Sequence, residues 1–217
     1  MKKNKRPFRI LVTAGPTREW LDPVRFITNA STGVMGYEIA RAARQAGCEV
    51  TLLTGPVSLS RPSGTRVLQF ETTQELAGLL AREFPRHDIL FMTAAVGDYT
   101  PVRVSSGIIK RQAGLEVAFK QTPDLLASLP KRTNSQTVVG FCLETENLIA
   151  NALRKLKKKN LDFIVANFLG KGTMPFGSGE TSVTLINRAG GAKAFNHLDK
   201  KTLARKLVKE IIHDHSK

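Results

Sequence analysis

Short apolar runs alternate with stretches of helical periodicity along most of this chain, and that alternation restricts the fold more than any other feature. FRILVTA (8–14), EVTLLT (49–54), RVLQF (66–70), DILFMTAA (88–95), TVVGFCLE (137–144) and DFIVAN (162–167) read as strands. Several are apolar on both faces, the pattern of parallel strands covered by helices above and below. Helices are expected near 34–46, 73–83, 123–129 and 145–159. Gly47 stops the first, and Thr72 or Thr73 caps the second, which ends at Pro85. Thr122, Pro123 and Asp124 form a start signal for the third, since proline is tolerated in a first turn. Ile149, Leu153 and Leu156 give the fourth one apolar stripe, crowded by Arg154, Lys155, Lys157, Lys158 and Lys159. Strand and helix in alternation predict an α/β architecture: a Rossmann-like, doubly wound, mostly parallel sheet.

The end of the chain breaks the pattern. TSVTLI (181–186) and AKAFNH (192–197) alternate in polarity and flank Asn187–Gly191, which predicts a C-terminal β-hairpin. A last helix, LDKKTLARKLVKEIIHDH, follows. The 217 residues fit one domain over 8–217, preceded by a basic, disordered arm, MKKNKRP (1–7). No apolar segment follows that arm, so no signal peptide is expected. No apolar run reaches the roughly 18 residues of a membrane span. Cys48 and Cys142 are too few and too isolated for a disulfide framework, and they read as buried thiols in a reducing, cytoplasmic compartment.

Charge narrows the partners. The formal net charge is +15, and residues 151–217 hold 14 Lys/Arg against 5 Asp/Glu. Such an excess suits nucleic acid, an acidic surface or small anionic substrates. An aromatic content of 6% is thin for single-strand stacking platforms, which turns the reading away from nucleic acid. A solvated basic face accounts for the same charge.

Three segments have the composition of a site. TAGPTRE (13–19) follows the first strand, where an open α/β sheet binds ligands, and Gly15 lets the backbone turn there. About fifteen residues then intervene before the helix, and they bring Asn29, Ser31, Thr32 and Gly33 to its entrance. Backbone N–H groups at a helix start favour an anion, although a capped glycine turn looks the same in sequence. TAAVGDYTP (93–101) ends a buried strand; Ala94, Ala95 and Gly97 permit close approach, and Asp98 can hold a sugar hydroxyl, a base amine or a metal, or be a plain turn aspartate. Phe141 ends another strand, and Lys155 and Lys159 share one helix face four residues apart. A phenyl ring and two ammonium groups suit a base and a triphosphate; they equally suit a core ring and a solvated helix. His87, His197, His213 and His215 lie apart or at the C-terminal end, so no metal-ligand cluster and no Ser-His-Asp or Cys-His set is visible.

Together, ILVTAGPTRE, LDPVRFITNASTGVMG, TLLTGPVSL, TAAVGDYTP, QTPDLLASL, VVGFCLET and KKNLDFIVAN, in that order, resemble the phosphopantothenoylcysteine synthetase family of coenzyme A biosynthesis over nearly the whole chain. The resemblance implies a ligase that uses CTP and Mg²⁺. Phosphopantothenate displaces pyrophosphate to form an acyl-cytidylate, and the amine of cysteine then displaces CMP. It implies catalytic roles for Asn29, on the acyl-cytidylate, and Lys110. It places Gly15, Ser31, Gly33, Asp98, Pro123, Asp124, Leu125, Leu126, Phe141, Lys155 and Lys159 on the nucleotide. Arg25, Asn29 and Ala95 fall to substrate, with Arg25 reaching the phosphopantothenate of a neighbouring subunit. A homodimer follows, with the hairpin at about 180–198 as a candidate dimer element. The flavin-dependent decarboxylase that is often fused to this domain is absent and becomes a separate partner. No membrane and no nucleic acid are expected.

Three positions depart from the family pattern. Ile108 stands where a lysine run begins, leaving Lys110 or Arg111 to substitute. Val34 replaces a lysine after the loop glycine, and Phe168 replaces an acid after Asn167. Two readings compete with the ligase. A degenerate basic nucleotide- or nucleic-acid-binding module would bind with steep salt dependence and release no pyrophosphate. An NAD(P)-dependent reductase would need the G-x-G-x-x-G that the first strand lacks.

Overall fold

The computed structural model describes residues 6–111, 113–170 and 179–216. Eight strands form one sheet. In chain order they are β1 (Arg9–Ala14), β4 (Glu49–Thr54), β5 (Arg66–Gln69), β6 (Ile89–Met92), β9 (Thr137–Glu144), β10 (Phe163–Phe168), β11 (Thr181–Asn187) and β12 (Ala192–Leu198). Two small antiparallel pairs complete the set: β2 (Arg18–Trp20) with β3 (Phe26–Thr28), and β7 (Tyr99–Pro101) with β8 (Phe119–Gln121). The spatial order is β12-β11-β10-β9-β6-β1-β4-β5. The six strands from β5 to β10 run parallel, and the hairpin β11–β12 adds antiparallel to β10. Taken alone, the six parallel strands have the order of a dinucleotide-binding sheet, with its topological switch between β1 and β6.

Every core strand alternates faces. Ile10, Val12 and Ala14 of β1 enter one core with Tyr37, Ile39, Ala40 and Ala43 of helix α1 (Val34–Gln45) and Leu203, Leu207 and Ile211 of helix α4 (Lys200–His215). Leu11, on the opposite pleat, enters a second core with Leu76 and Leu80 of helix α2 (Thr73–Glu83) and Ala152 and Leu156 of helix α3 (Leu148–Lys158). The helices therefore cover the sheet in pairs, α1 and α4 on one face and α2 and α3 on the other. That is why strands such as ILFM of β6 are buried at every position.

Three expectations are corrected. Residues 123–129 form a turn, not a helix. Asp124 Oδ1 accepts from the N–H groups of Leu126 and Ala127, and Ser128 N–H donates to Asp124 O. Pro130 then lacks the N–H that a further turn would need. The fourth helix begins at Leu148 rather than 145, because Asn147 takes a left-handed conformation with φ 47°. The strand expected over 88–95 ends at Met92, where Thr93 and Ala94 leave the ladder and donate their N–H groups to Thr13 Oγ1. Of the arm 1–7, residues 1–5 lie outside the described residues. Arg6 is not loose: its guanidinium forks onto Asp88 with two bonds of 2.7 Å.

One buried histidine makes stability depend on pH. His87 bonds Glu83 O through Nδ1 at 2.6 Å and Thr51 Oγ1 through Nε2 at 2.9 Å, and burial pushes its pKa below the ordinary value. A histidine depressed in the fold stabilises fully above its unfolded pKa of about 6.5 and progressively less as pH falls from there. Asp22, Asp88 and Glu83 are also held low, but their loss begins only below about pH 5. The urea midpoint should therefore fall in two stages on acidification. His87→Gln should flatten the upper stage alone; a variant that keeps the slope between pH 6.5 and 5 excludes His87 as its source.

Candidate functional site

The switch point between β1 and β6 is where such a sheet opens a crevice, but here the two strand ends are tied together. Ala95 N–H donates to Gly15 O at 2.9 Å and Thr17 N–H donates to Ala95 O at 3.2 Å. Thr93 Oγ1 also donates to Thr13 O. Binding space instead opens one strand further along, at the carboxyl ends of β6 and β9.

Two hollows meet there. The larger, about 700 Å³, lies on the α3 side and is lined by Ala94–Val96, Asp98, Tyr99, Pro123–Leu126, Phe141–Leu143, Lys155 and Lys159 among others. The smaller, about 240 Å³, lies on the α1/α4 side between Ser31–Gly36, Thr93, Asn167, Thr181 and Lys200. Ala94, Ala95 and Phe141–Leu143 line both and form a shared rim. Together they have the size of a nucleotide pocket.

Each side chain in the larger hollow is set by its element. Lys155 and Lys159 lie one turn apart at the end of α3. Lys155 pairs with Glu144 at 2.6 Å and Lys159 with Asp124 at 3.6 Å. Phe141 shares the pleat of Val139, so its ring packs on the α1/α4 core while the lysines come from the opposite face. Ring and ammonium groups approach the end of β9 from two sides. Phe141, Lys155 and Lys159, expected from the sequence to suit a base and a triphosphate, thus line one hollow from opposite faces of the sheet. Cys142, on the other pleat, is pushed up to about 11 by burial, with Lys155 partly opposing, so it is a thiol rather than a nucleophile.

Asn29 stands at the mouth. Its Nδ2 donates to Ala95 O at 3.2 Å and to Val96 O at 3.0 Å, binding the loop before α1 to the shared rim. Gly33, at φ 75°, is the cap of α1 and carries no side-chain cap bond, and Gly33–Gly36 at the start of the helix line the smaller hollow. Gly33 N–H itself reaches Ser31 Oγ at 3.3 Å. Gly15 lies behind Gly33, within about 3.3 Å of where a Cβ would stand, and lines neither hollow.

Besides Gly15, two more of the residues expected to bind lie outside both hollows, Arg25 and Lys110. Arg25 is spent on Asp22, at 2.9 and 2.5 Å, and on Ile109 O at 2.6 Å. That guanidinium holds the buried Asp22 carboxyl well below the usual carboxylate range. Lys110 follows on the same loop, exposed, and lines neither hollow. Conversely, Glu144, Asn167 and Lys200 reach the site without any local signal in their own segments. No group of three or more His, Cys, Asp or Glu suited to a metal exists among the described residues. No described helix is long and apolar enough to cross a membrane. Cys48 and Cys142 form no disulfide.

Residues 6–214 match the model of the DNA/pantothenate metabolism flavoprotein C-terminal domain. The coenzyme A biosynthesis bifunctional protein CoaBC of Bacillus subtilis (strain 168) is 38% identical over 204 residues, covering 93% of this chain and 50% of that protein. The chain thus spans about half the length of the curated relatives it matches. The crystal structure of the C-terminal domain of a CoaBC superposes with TM-score 0.79 at 36% identity, covering 94% of this chain and 93% of that one. A DNA/pantothenate metabolism flavoprotein from Streptococcus pneumoniae superposes with TM-score 0.83 at 24% identity, covering 96% of this chain and 100% of that one, which speaks for the fold alone.

Proposed function

Because the chain belongs to the family of the DNA/pantothenate metabolism flavoprotein C-terminal domain, we propose that it joins 4′-phosphopantothenate to L-cysteine at the expense of CTP. The observation that carries this reading is the convergence of Asp98, Asp124, Lys155 and Lys159 on one hollow whose rim runs on to the start of α1. A nucleotide lying across that rim has its base and ribose between Asp98 and the Pro123–Leu126 turn, and its phosphates directed toward Ser31 and Gly33. The Lys155–Glu144 and Lys159–Asp124 pairs make binding an exchange, in which nucleotide oxygens take over the ammonium groups and the acids turn to donors on base or sugar.

The reaction then needs position and charge rather than a protein nucleophile. A carboxylate oxygen of phosphopantothenate attacks the α-phosphorus. The bond from that phosphorus to the bridging oxygen breaks, and pyrophosphate leaves with the electron pair. The amine of cysteine attacks the acyl carbon, CMP leaves, and the nitrogen releases its proton. Both amide hydrogens of Asn29 are engaged on the rim, so its remaining oxygen suits an incoming amine, while its nitrogen serves an oxyanion only after exchanging a carbonyl. Mg²⁺ would enter with the triphosphate and neutralise its charge.

We also assign a homodimer and a cytoplasmic location to this chain. Val24, Ile27, Val102, Val104, Ile108 and Phe119 are exposed on the lobe formed by β2, β3, β7, β8 and their loops. The edge strand β12 instead shows Lys193, Asn196 and His197 to solvent. The lobe is therefore the better dimer surface, in place of the hairpin, and it carries Arg25 and Lys110 toward a neighbour. Val104→Asp with Ile108→Asp should sediment as a monomer and lose activity; an unchanged dimer rejects the surface.

The test of the activity is direct. The chain is incubated with phosphopantothenate, cysteine and Mg²⁺ and each nucleoside triphosphate in turn. Pyrophosphate release that requires phosphopantothenate, favours CTP and ends in amide product is expected. No release with any nucleotide rejects the ligase.

A further inference from the structure

We infer that Lys200 is a phosphate-contacting residue of this site: its ammonium holds the two phosphates that leave as pyrophosphate, in the smaller hollow between the starts of α1 and α4. The inference deepens the nucleotide reading above and rests on it.

The hollow is built for an anion in its charge, though not in its walls. Among the described residues that line it, Lys200 is the one charged residue; the rest are small, hydroxyl, amide or apolar. The residue is half-buried and has no hydrogen bond or ion pair with any described residue. Its chain neighbour Asp199 is committed to capping α4, accepting from Thr202 N–H at 2.9 Å. Burial, with no offsetting carboxylate, holds the ammonium below the ordinary lysine value.

The position is electrostatically unfavourable as it stands. Lys200 is the first residue of α4, where the helix dipole opposes a cation. The start of α1, Gly33–Gly36, which has no side-chain cap, lines the same space. The start of α1 and an unpaired, partly desolvated ammonium therefore raise the potential in about 240 Å³, while the start of α4 is already met by the Asp199 carboxylate. An anion offsets both costs at once. A nucleotide seated in the larger hollow would supply one, because Ala94, Ala95 and Phe141–Leu143 line both spaces and its phosphates would cross that shared rim toward Lys200. Lys201 gives the contrast: it turns to a separate groove with Glu38, Arg41 and Arg205.

The probe is inorganic pyrophosphate, titrated calorimetrically into the full chain and into Lys200→Ala, Lys200→Arg and Lys201→Ala. Loss of one charge-assisted contact should weaken binding about tenfold or more in Lys200→Ala. Lys200→Arg should remain close to wild type. Lys201→Ala, which removes the same charge one residue away, should change affinity by less than about twofold, as expected for long-range screening at 0.15 M salt. Wild-type affinity in Lys200→Ala, an equal loss in Lys201→Ala, or no pyrophosphate binding by the wild type would each overturn the assignment. The failure of the ligase reading looks different: no nucleotide turnover, with Lys200-dependent pyrophosphate binding intact.

Discussion

Asn29→Asp is expected to release pyrophosphate at a rate within a few-fold of wild type and then to stall before the amide forms. The change removes only the nitrogen, yet that nitrogen makes both bonds to the rim, at 3.2 Å to Ala95 O and 3.0 Å to Val96 O. A carboxylate in its place points acceptor against acceptor and is driven off both carbonyls. The first half-reaction leans on the ammonium groups of Lys155 and Lys159 in the larger hollow, which pair with Glu144 and Asp124 and not with Asn29. The second half-reaction brings an amine to the acyl carbon beside an anionic leaving group, and there a displaced acid contributes neither donor nor orientation. Removing one such group costs about 10²–10³ in rate in comparable sites. Quenched single-turnover samples, with pyrophosphate and CMP assayed separately, give the answer. A pyrophosphate burst without CMP is the expected pattern; equal wild-type rates for both would remove Asn29 from the mechanism.

What the chain discloses about itself divides along a physical line. Burial on both faces of a parallel strand writes an apolar run into the sequence, so β4 and β9 are legible residue by residue and β1 and β10 to within one residue at an end. β2, β3, β7 and β8 span three residues each, too short to carry any period, and their pairing rests on contacts with the rest of the lobe. The 123–129 segment misled because Thr-Pro-Asp starts a turn and a helix alike, and only Pro130 speaks for the turn. At the site, Asp98, Phe141 and Lys155 lie on three separate elements, and nothing local says that β6 and β9 are neighbours. Their grouping was legible only through resemblance to a family. Lys200 was not legible at all: it sits at the start of a surface helix among other lysines, and only the docking of α4 beside α1 turns it to the hollow.

Gly36 and Gly78 make the same point energetically, and substituting each by alanine should move stability in opposite directions. Both are helix-interior glycines, where alanine is better by roughly 1 kcal/mol on intrinsic propensity. At Gly78, on the exposed face of α2, an added Cβ meets nothing within 4 Å, so the propensity gain stands and the urea midpoint rises. At Gly36 the Cβ would stand 2.5 Å from Thr93 Oγ1, 2.6 Å from Ala14 Cβ and 2.9 Å from Thr13 O. None of those atoms is free to yield. One is backbone, one is a strand methyl in the core, and the hydroxyl is tied to Thr13 O. The helix must lift instead, and overpacking of this kind costs about 1–3 kcal/mol or more, which outweighs the propensity. The lift also moves the uncapped N–H groups of α1 away from the rim, so affinity for CTP should fall with stability. Gly36→Ala is therefore expected to lower the urea midpoint and to blunt the thermal shift produced by CTP, while Gly78→Ala raises the midpoint and leaves that shift unchanged. A Gly36→Ala protein as stable as wild type would mean that α1 does not rest on β1 and β6 as closely as the structure has it.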